Sequence, residues 1–92
     1  MLDEQNYRFV DGNLIIKLTK QETRALYYLI KNKKGITNPI SLAMFVGYEQ
    51  YDRYIAACVC TMLSNLRQKP KFIVKISHRQ GIGYEIEYIG NH

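Results

Sequence analysis

The sequence predicts one small α+β domain, built from a short N-terminal β-hairpin, three helices and a C-terminal β-hairpin. Turn-forming residues interrupt apolar runs near both ends of the chain, and helix-starting residues precede three central segments whose apolar residues recur at helical spacing. A chain of 92 residues can bury one hydrophobic core, so we expect a single domain over residues 1–92. The predicted bounds are about 7–18 for the first hairpin, about 20–34, 39–46 and 53–69 for the helices, and about 72–89 for the second hairpin.

Short local signals predict the first hairpin and the first helix. The run YRFVDGNLIIKL has two apolar stretches around Gly12, a residue type that adopts the positive φ of tight hairpin turns. Thr19 and Glu22 have the spacing of a capping box, in which both side chains satisfy free backbone N–H groups at a helix start. Lysines gather near the expected end of this helix, which suits its dipole, and Gly35 is the predicted stop.

The second and third helices have equally clear starts. Asn38 is a good N-cap residue, and Pro39 suits the first helical position because no N–H is needed there. Gly47 is the predicted end of this second helix. Asp52 is the predicted N-cap of the third helix, which we expect to end before Pro70.

The third helix combines an apolar side with an unusual polar side. The apolar stripe contains Ile55, Val59, Met62, Leu63 and Leu66. The opposite side contains Arg53, Ala57, Thr61, Ser64 and Gln68, flanked by Tyr54, Asn65 and Arg67. This polar side has no carboxylate and mostly short side chains, so it can approach a phosphate backbone or a major groove closely. Packing of these small residues against another subunit is the alternative interpretation.

The C-terminal hairpin contains two glycines that raise the question of a phosphate-binding loop. Such a loop leads from a strand into a helix, whereas HRQGIG connects two alternating, β-rich runs. Gly81 and Gly83 are therefore predicted turn residues, and Tyr84 is the predicted anchor of the returning strand in the core. The tip of the hairpin is predicted to contain His78, Arg79 and Gln80.

The distribution of charge favours an anionic partner. The formal net charge is +5, and no acidic residue occurs between Asp52 and Glu85. A basic surface that is merely solvated is the alternative. The basic residues in this window are Arg53, Arg67, Lys69, Lys71, Lys75 and Arg79.

The sequence offers no residue set for catalysis or metal binding. Cys58 and Cys60 are too few for a four-ligand zinc site, and on a helix they point about 200° apart, so we expect packing residues that are buried or half-buried. His78 and His92 complete no catalytic triad. We expect no enzyme activity, no cofactor and no metal. The N-terminal MLDEQNYRF lacks the apolar stretch of a signal peptide, and no apolar run could span a membrane, so we expect a cytoplasmic protein.

Three motifs resemble those of the OmpR/PhoB-type DNA-binding domain. Three helices followed by a hairpin form the layout of a winged helix-turn-helix. LTKQE precedes the first helix, LSNLRQK ends the third, and GIGYEIE lies in the hairpin. The family has LT-x-x-E, an apolar residue followed by x-x-L-R-x-K, and G-x-G-Y at these places. The resemblance extends from Leu18 to Glu87.

The resemblance implies a bacterial or phage transcription regulator that binds double-stranded DNA, with the third helix in the major groove and the hairpin as a wing at the adjacent minor groove. The groove-facing positions it implies are Thr61, Met62, Ser64, Asn65, Arg67 and Gln68, to which the polar side of the helix adds Arg53; the apolar stripe also contains Met62. The candidate wing residues are Lys75, His78, Arg79 and Gln80, and the usually basic wing position of the family falls on Gln80.

Several expectations concern partners and alternatives. The family commonly carries a receiver domain and about four N-terminal strands, whereas we expect here one hairpin and no receiver. A single module binds DNA weakly, so homodimeric or tandem binding is expected. Tyr48, Tyr51 and Tyr54 are candidates for a protein contact, with ordinary packing as the alternative. RNA polymerase or another regulator is a candidate partner. The competing functions are a winged-helix protein-interaction module that does not bind DNA by itself, and recognition of structured RNA.

Overall fold

The computed structural model describes residues 2–33, 35–69, 74–79 and 81–88. These residues form an α+β fold with three helices and two small antiparallel sheets. The elements are β1 Leu2–Asp3, β2 Arg8–Asp11, β3 Leu14–Lys17, α1 Lys20–Lys31, α2 Pro39–Val46, α3 Arg53–Gln68, β4 Val74–Arg79 and β5 Gly83–Tyr88. One sheet has the order β1-β2-β3, and the other is the β4-β5 hairpin.

The N-terminal sheet has three strands where the sequence predicted two. The predicted hairpin is confirmed by the pairing of β2 with β3, and Gly12 adopts a φ of 58° in its turn. The additional strand, β1, pairs Leu2 with Phe9. Hydrogen bonds to the Asp3 carboxylate from Asn6 and from Arg8 hold this edge in place, and they lower the pKa of the Asp3 carboxyl. A strand of two residues has no periodicity of its own, so the sequence could not predict it.

The three predicted helix starts are confirmed. Thr19 Oγ1 accepts a hydrogen bond from the Glu22 N–H at 3.1 Å, and Glu22 Oε1 accepts one from the Thr19 N–H at 2.9 Å, which completes the capping box. The side chain of Asn38 caps α2, where Pro39 is the first residue. The side chain of Asp52 caps α3.

The predicted end of α1 at Gly35 is wrong. The helix ends at Lys31, and the C-cap is Asn32, whose backbone N–H bonds to the carbonyl oxygens of the last turn. The Asn32 side-chain amide also donates to the Tyr28 carbonyl oxygen at 2.8 Å. Asparagine can therefore close this helix by itself, and Gly35 is not among the residues with positive φ. Lys34, the last residue of the predicted range, lies outside the described residues.

The hydrophobic core forms where both sheets meet the helices. The whole predicted apolar stripe of α3 is buried, which confirms the orientation of that helix. The core residues are Phe9, Leu18, Ala25, Leu26, Leu29, Leu42, Ala43, Val46, Ile55, Val59, Met62, Leu63, Leu66, Val74, Ile76, Tyr84 and Ile86. A salt bridge of 2.6 Å from Lys69 Nζ to Glu22 Oε1 joins the end of α3 to the buried Glu22 in the first turn of α1.

The segment between α1 and α2 is tied to the C-terminal hairpin. Thr37 and Tyr84 form an antiparallel bridge, in which each backbone N–H donates to the carbonyl oxygen of the other residue, at 2.6 and 2.9 Å. Gly83 pairs with Arg79 at the start of β5, so its prediction as a turn residue is wrong. A Cβ at Gly83 would overlap the Thr37 carbonyl oxygen, so the backbone here requires glycine.

The Thr37 hydroxyl provides a first stability prediction. Thr37 is 3% exposed, and its Oγ1 has no hydrogen-bond partner. Valine keeps the branched shape and the backbone bridge but removes the unsatisfied oxygen, so Thr37→Val is expected to raise the free energy of unfolding by about 1 kcal/mol. Urea unfolding followed by circular dichroism measures this change. Thr37→Ser is the control, because it keeps the oxygen and loses the methyl group. A less stable valine variant would contradict the prediction.

Candidate functional site

The exposed side of α3 is the centre of the candidate site. The predicted polar-side residues Arg53, Thr61, Ser64, Asn65, Arg67 and Gln68 are all exposed. Met62 is only 8% exposed, so the groove-facing role that the resemblance implied for it is wrong. The capping requirement at the helix start and the apolar stripe fix the rotation of α3, and this rotation leaves the short polar residues facing outward.

Arginines stand near both ends of this exposed side. Arg53 is the first residue of α3, and Arg67 lies in its last turn, where a cation complements the helix dipole. Arg67 Nη2 lies 3.5 Å from Ser64 Oγ. The nearest carboxylate along the chain, that of Asp52, accepts the Ile55 N–H at 2.8 Å as the helix cap. Positive charge therefore brackets a row of short side chains with no carboxylate on the helix itself.

The C-terminal hairpin carries its charges on its outer face. The register pairs Lys75 with Glu87 across the two strands. Lys75 Nζ lies 3.9 Å from Glu87 Oε1, and Arg79 Nη2 lies 2.5 Å from Glu85 Oε1. The charge window of the sequence suggested an uncompensated basic surface, but cross-strand pairing brings two carboxylates back to it. An anionic ligand would have to compete with these carboxylates for Lys75 and Arg79.

The inner face of the hairpin is anchored to α3. Tyr84 is 4% exposed, and its hydroxyl lies 3.2 Å from Cys60 Sγ, which confirms its predicted role as an anchor. Burial, together with the contact to Cys60, raises the pKa of the Tyr84 hydroxyl. The His78 ring stacks on the Tyr84 ring at 4.6 Å between centroids. His78 thus lies on the α3 side of the hairpin, away from Arg79, and Gln80 lies outside the described residues.

A groove of about 450 Å³ lies on the surface where the hairpin meets α2 and α3. It runs between the start of α2, the side of α3 and the hairpin, and its lining includes Ile40, Cys60, His78 and Ile82. Sequence reasoning identified His78 as a site residue but missed Ile40, Cys60 and Ile82. Cys60 was predicted to be buried or half-buried, whereas it is exposed and Cys58 is intermediate. The exposure of Cys60 could have been predicted, because Cys60 lies one helical turn from Ser64 on the same side of α3.

The three tyrosines predicted as protein contacts divide into two groups. Tyr48 and Tyr51 are partly buried and pack against the core. Tyr54 is 73% exposed, and its hydrogen bond with Cys58 raises the pKa of its hydroxyl. Tyr48 and Tyr54 line a second groove of about 440 Å³, which lies between α3 and the start of α1. Tyr48 and Tyr51 therefore contribute to core packing, whereas the exposed side chain of Tyr54 offers more surface for contact with another protein.

Comparison with known proteins adds no family. No family model matches the chain, and none of the curated proteins compared with it is significantly similar. In the part of the chain that the structure describes, no three His, Cys, Asp or Glu side chains are grouped as metal ligands would be. Among the same residues, no helix has the length and apolar character needed to cross a bilayer.

Proposed function

We propose that this protein is a sequence-specific regulator of transcription that binds double-stranded DNA as a winged helix-turn-helix of the OmpR/PhoB type. In this proposal α3 enters the major groove, and the β4-β5 hairpin is the wing at the adjacent minor groove. The single observation that carries it is the exposed side of α3, which is free of carboxylates and bracketed by Arg53 and Arg67.

The chemistry of α3 suits both parts of DNA recognition. The arginines at its two ends supply charge-assisted bonds to phosphates, which position the helix. Between them, Thr61, Ser64 and Gln68 are exposed, and side chains of these types donate to and accept from base edges. Short side chains elsewhere on this side allow the helix backbone to approach the groove floor.

The wing contributes through an exchange of partners. Arg79 is held by Glu85 in the free protein and would leave this carboxylate for a phosphate or for the minor groove. Because that exchange costs a salt bridge, the affinity of one module is expected to be modest. Two copies on adjacent half-sites, or a second regulator or RNA polymerase beside one copy, would supply the missing affinity.

A titration with duplex DNA tests the proposal. Binding of labelled random-sequence duplexes is followed by fluorescence anisotropy at about 50 and 200 mM salt, and we expect the affinity to fall at least about tenfold between them. Arg67→Ala combined with Arg79→Ala is expected to weaken binding at least about tenfold and to flatten the salt dependence. The matched control is Lys17→Ala with Lys31→Ala, which removes the same charge from other elements and is expected to change the affinity by less than about threefold.

Two results would contradict the DNA-binding proposal. One is a lack of binding at the lower salt concentration, and the other is an equal loss of affinity in the arginine pair and in the lysine control. Selection from a pool of random duplexes, with sequencing of the bound fraction, would identify the site. A pool that does not converge would contradict the sequence-specific part.

A second candidate function is that of a protein-interaction module without DNA binding of its own. The observation that favours it is the pairing of Lys75 and Arg79 with Glu87 and Glu85, because this pairing reduces the positive field at the hairpin. Absence of duplex binding by a folded protein would select this second function.

A further inference from the structure

The second helix has apolar residues on its exposed side as well as on its buried side. In α2, Leu42, Ala43 and Val46 are buried in the core. On the other side, Met44 and Phe45 are 58% and 40% exposed. A helix in contact with water ordinarily presents polar residues there, and exposed apolar surface of this kind marks contact sites.

The neighbouring helix presents a row of cations beside this apolar surface. Lys20, Arg24 and Lys31 recur at helical spacing on the exposed side of α1, and Tyr27 lies among them. Glu22 is the one carboxylate in α1 and α2, and it is buried in the capping box and in the salt bridge to Lys69. The exposed sides of these two helices therefore carry positive charge that neither helix neutralises.

Direct contacts join the two features into one surface. The Phe45 ring stacks on the rings of Tyr27 and Tyr28, with centroid distances of 5.9 and 4.7 Å. Lys31 Nζ lies 3.3 Å from the Tyr27 hydroxyl and 5.4 Å from the centre of its ring. Arg24 lies close to the end of α2, since its Nη1 would be 3.9 Å from a Cβ added to Gly47, the residue that follows this helix. We call this surface the α1–α2 face; it contains Arg24, Tyr27, Lys31 and Phe45, together with the exposed Met44 that precedes Phe45 in α2.

We propose that the α1–α2 face binds an acidic, amphipathic segment of a partner protein, one that combines Asp or Glu with large apolar side chains. The apolar residues of the segment would pack on Met44 and Phe45, and its carboxylates would bond to Arg24 and Lys31. Aromatic, methionine and arginine side chains are the types that carry binding energy at protein interfaces. Complementary charge would speed the encounter and fix the orientation of the segment.

The charges on the face favour this occupant over two others. A second copy of the chain docked through the same face would bring the cations of both copies together, since Arg24 and Lys31 would meet their own counterparts. Duplex DNA would satisfy these cations but would leave Met44 and Phe45 against phosphates. An acidic segment with apolar side chains matches both halves of the surface.

The proposed contact does not depend on DNA binding, because the α1–α2 face and the exposed side of α3 belong to different elements. A DNA-bound protein could hold a partner segment at the same time. The two proposals can therefore fail separately.

Selection of displayed peptides tests this inference. The full chain is immobilised, and a library of random peptides about 16 residues long, the span of a four-turn helix, is selected against it. We expect enrichment of peptides that are net negative and contain Leu, Phe, Met or Trp. The best peptide is then synthesised, and its affinity for the chain is measured by anisotropy at two salt concentrations.

Variants decide whether the peptide occupies the proposed face. Arg24→Glu with Lys31→Glu is expected to weaken peptide binding at least about tenfold, and so is Met44→Ser alone, which leaves the charges unchanged. The charge-matched control, Lys17→Glu with Lys75→Glu, is expected to bind nearly as the wild type does. Thermal unfolding of each variant confirms that it is folded.

Four outcomes would overturn the proposal. In the selection, these are a library that yields no enriched peptide and a library that yields neutral or basic peptides. In the binding assay, it is a peptide affinity that the variants of the α1–α2 face leave unchanged. In sedimentation without peptide, it is a dimer of the chain that Met44→Ser dissociates. The last outcome would identify a second copy as the occupant.

Discussion

Replacing Gly83 by alanine is expected to lower the free energy of unfolding by about 3 kcal/mol or more, because the added Cβ has no space and the backbone there is strained for any other residue. Gly83 has a φ of 156°. A Cβ at this position would overlap the carbonyl oxygen of Thr37 and would lie 2.9 Å from Ile36 Cγ2. Relief of the overlap would require separation of β5 from Thr37, which breaks both hydrogen bonds of the bridge.

Two other glycines separate these causes. Gly81 has a φ of 79°, and a Cβ added there would have no neighbouring atom within 4 Å. Gly81→Ala therefore tests backbone strain alone and is expected to lower the free energy of unfolding by about 1–2 kcal/mol. Gly35 has neither positive φ nor a neighbour within that distance, so Gly35→Ala is expected to be neutral or to stabilise by less than about 1 kcal/mol. Chemical denaturation of the three variants gives the order directly. A Gly83 variant as stable as the Gly81 variant would show that Thr37 does not approach the hairpin this closely.

The second large effect is expected at Glu22. Its Oε1 accepts the Thr19 N–H and also bonds to Lys69 Nζ, so Glu22→Ala removes a helix cap and a partly buried ion pair in one change. We expect a loss of about 2–3 kcal/mol in the free energy of unfolding. Glu22→Gln keeps an oxygen for the cap and removes the charge, so its loss is expected to be roughly half as large.

A double-mutant cycle with Lys69→Met isolates the ion pair from the cap. The side chains of Lys69 and Glu22 are 34% and 5% exposed, and this partial burial is expected to give a coupling energy of about 1 kcal/mol after allowance for solvent screening. The Lys75 and Glu87 pair is the internal control. Its side chains are 60% and 64% exposed at 3.9 Å, so its coupling is expected to be under about 0.5 kcal/mol. Equal coupling in the two cycles would contradict the structural role of Glu22.

The helices were predictable because their signals are local. The caps at Thr19, Asn38 and Asp52 each depend on residues within one turn, and the structure confirms all three. Two of the wrong predictions concern a contact with another segment of the chain. The place of Gly83 in β5 depends on the approach of Thr37, and the strand at Leu2 depends on the edge that β2 offers. Neither partner can be identified from the sequence around the residue itself.

The candidate site follows the same division. Helical periodicity correctly predicted that the polar side of α3, including Thr61 and Ser64, is exposed, because one apolar stripe fixes the orientation of the whole helix. The pairing of Lys75 and Arg79 with carboxylates was not predictable, because it depends on strand register. A shift of one residue would place Glu85 on the other face of the hairpin and would leave Arg79 without it.

The bridge between Thr37 and Tyr84 also bears on the order in which the chain folds. It closes a loop of chain that contains α2, α3 and β4, and closing so long a loop is entropically costly until packed helices shorten the path. The hairpin would thus dock last. A local opening that frees β5 would also free Thr37, which lies next to the N-cap of α2, so we expect the two ends of this loop to open together.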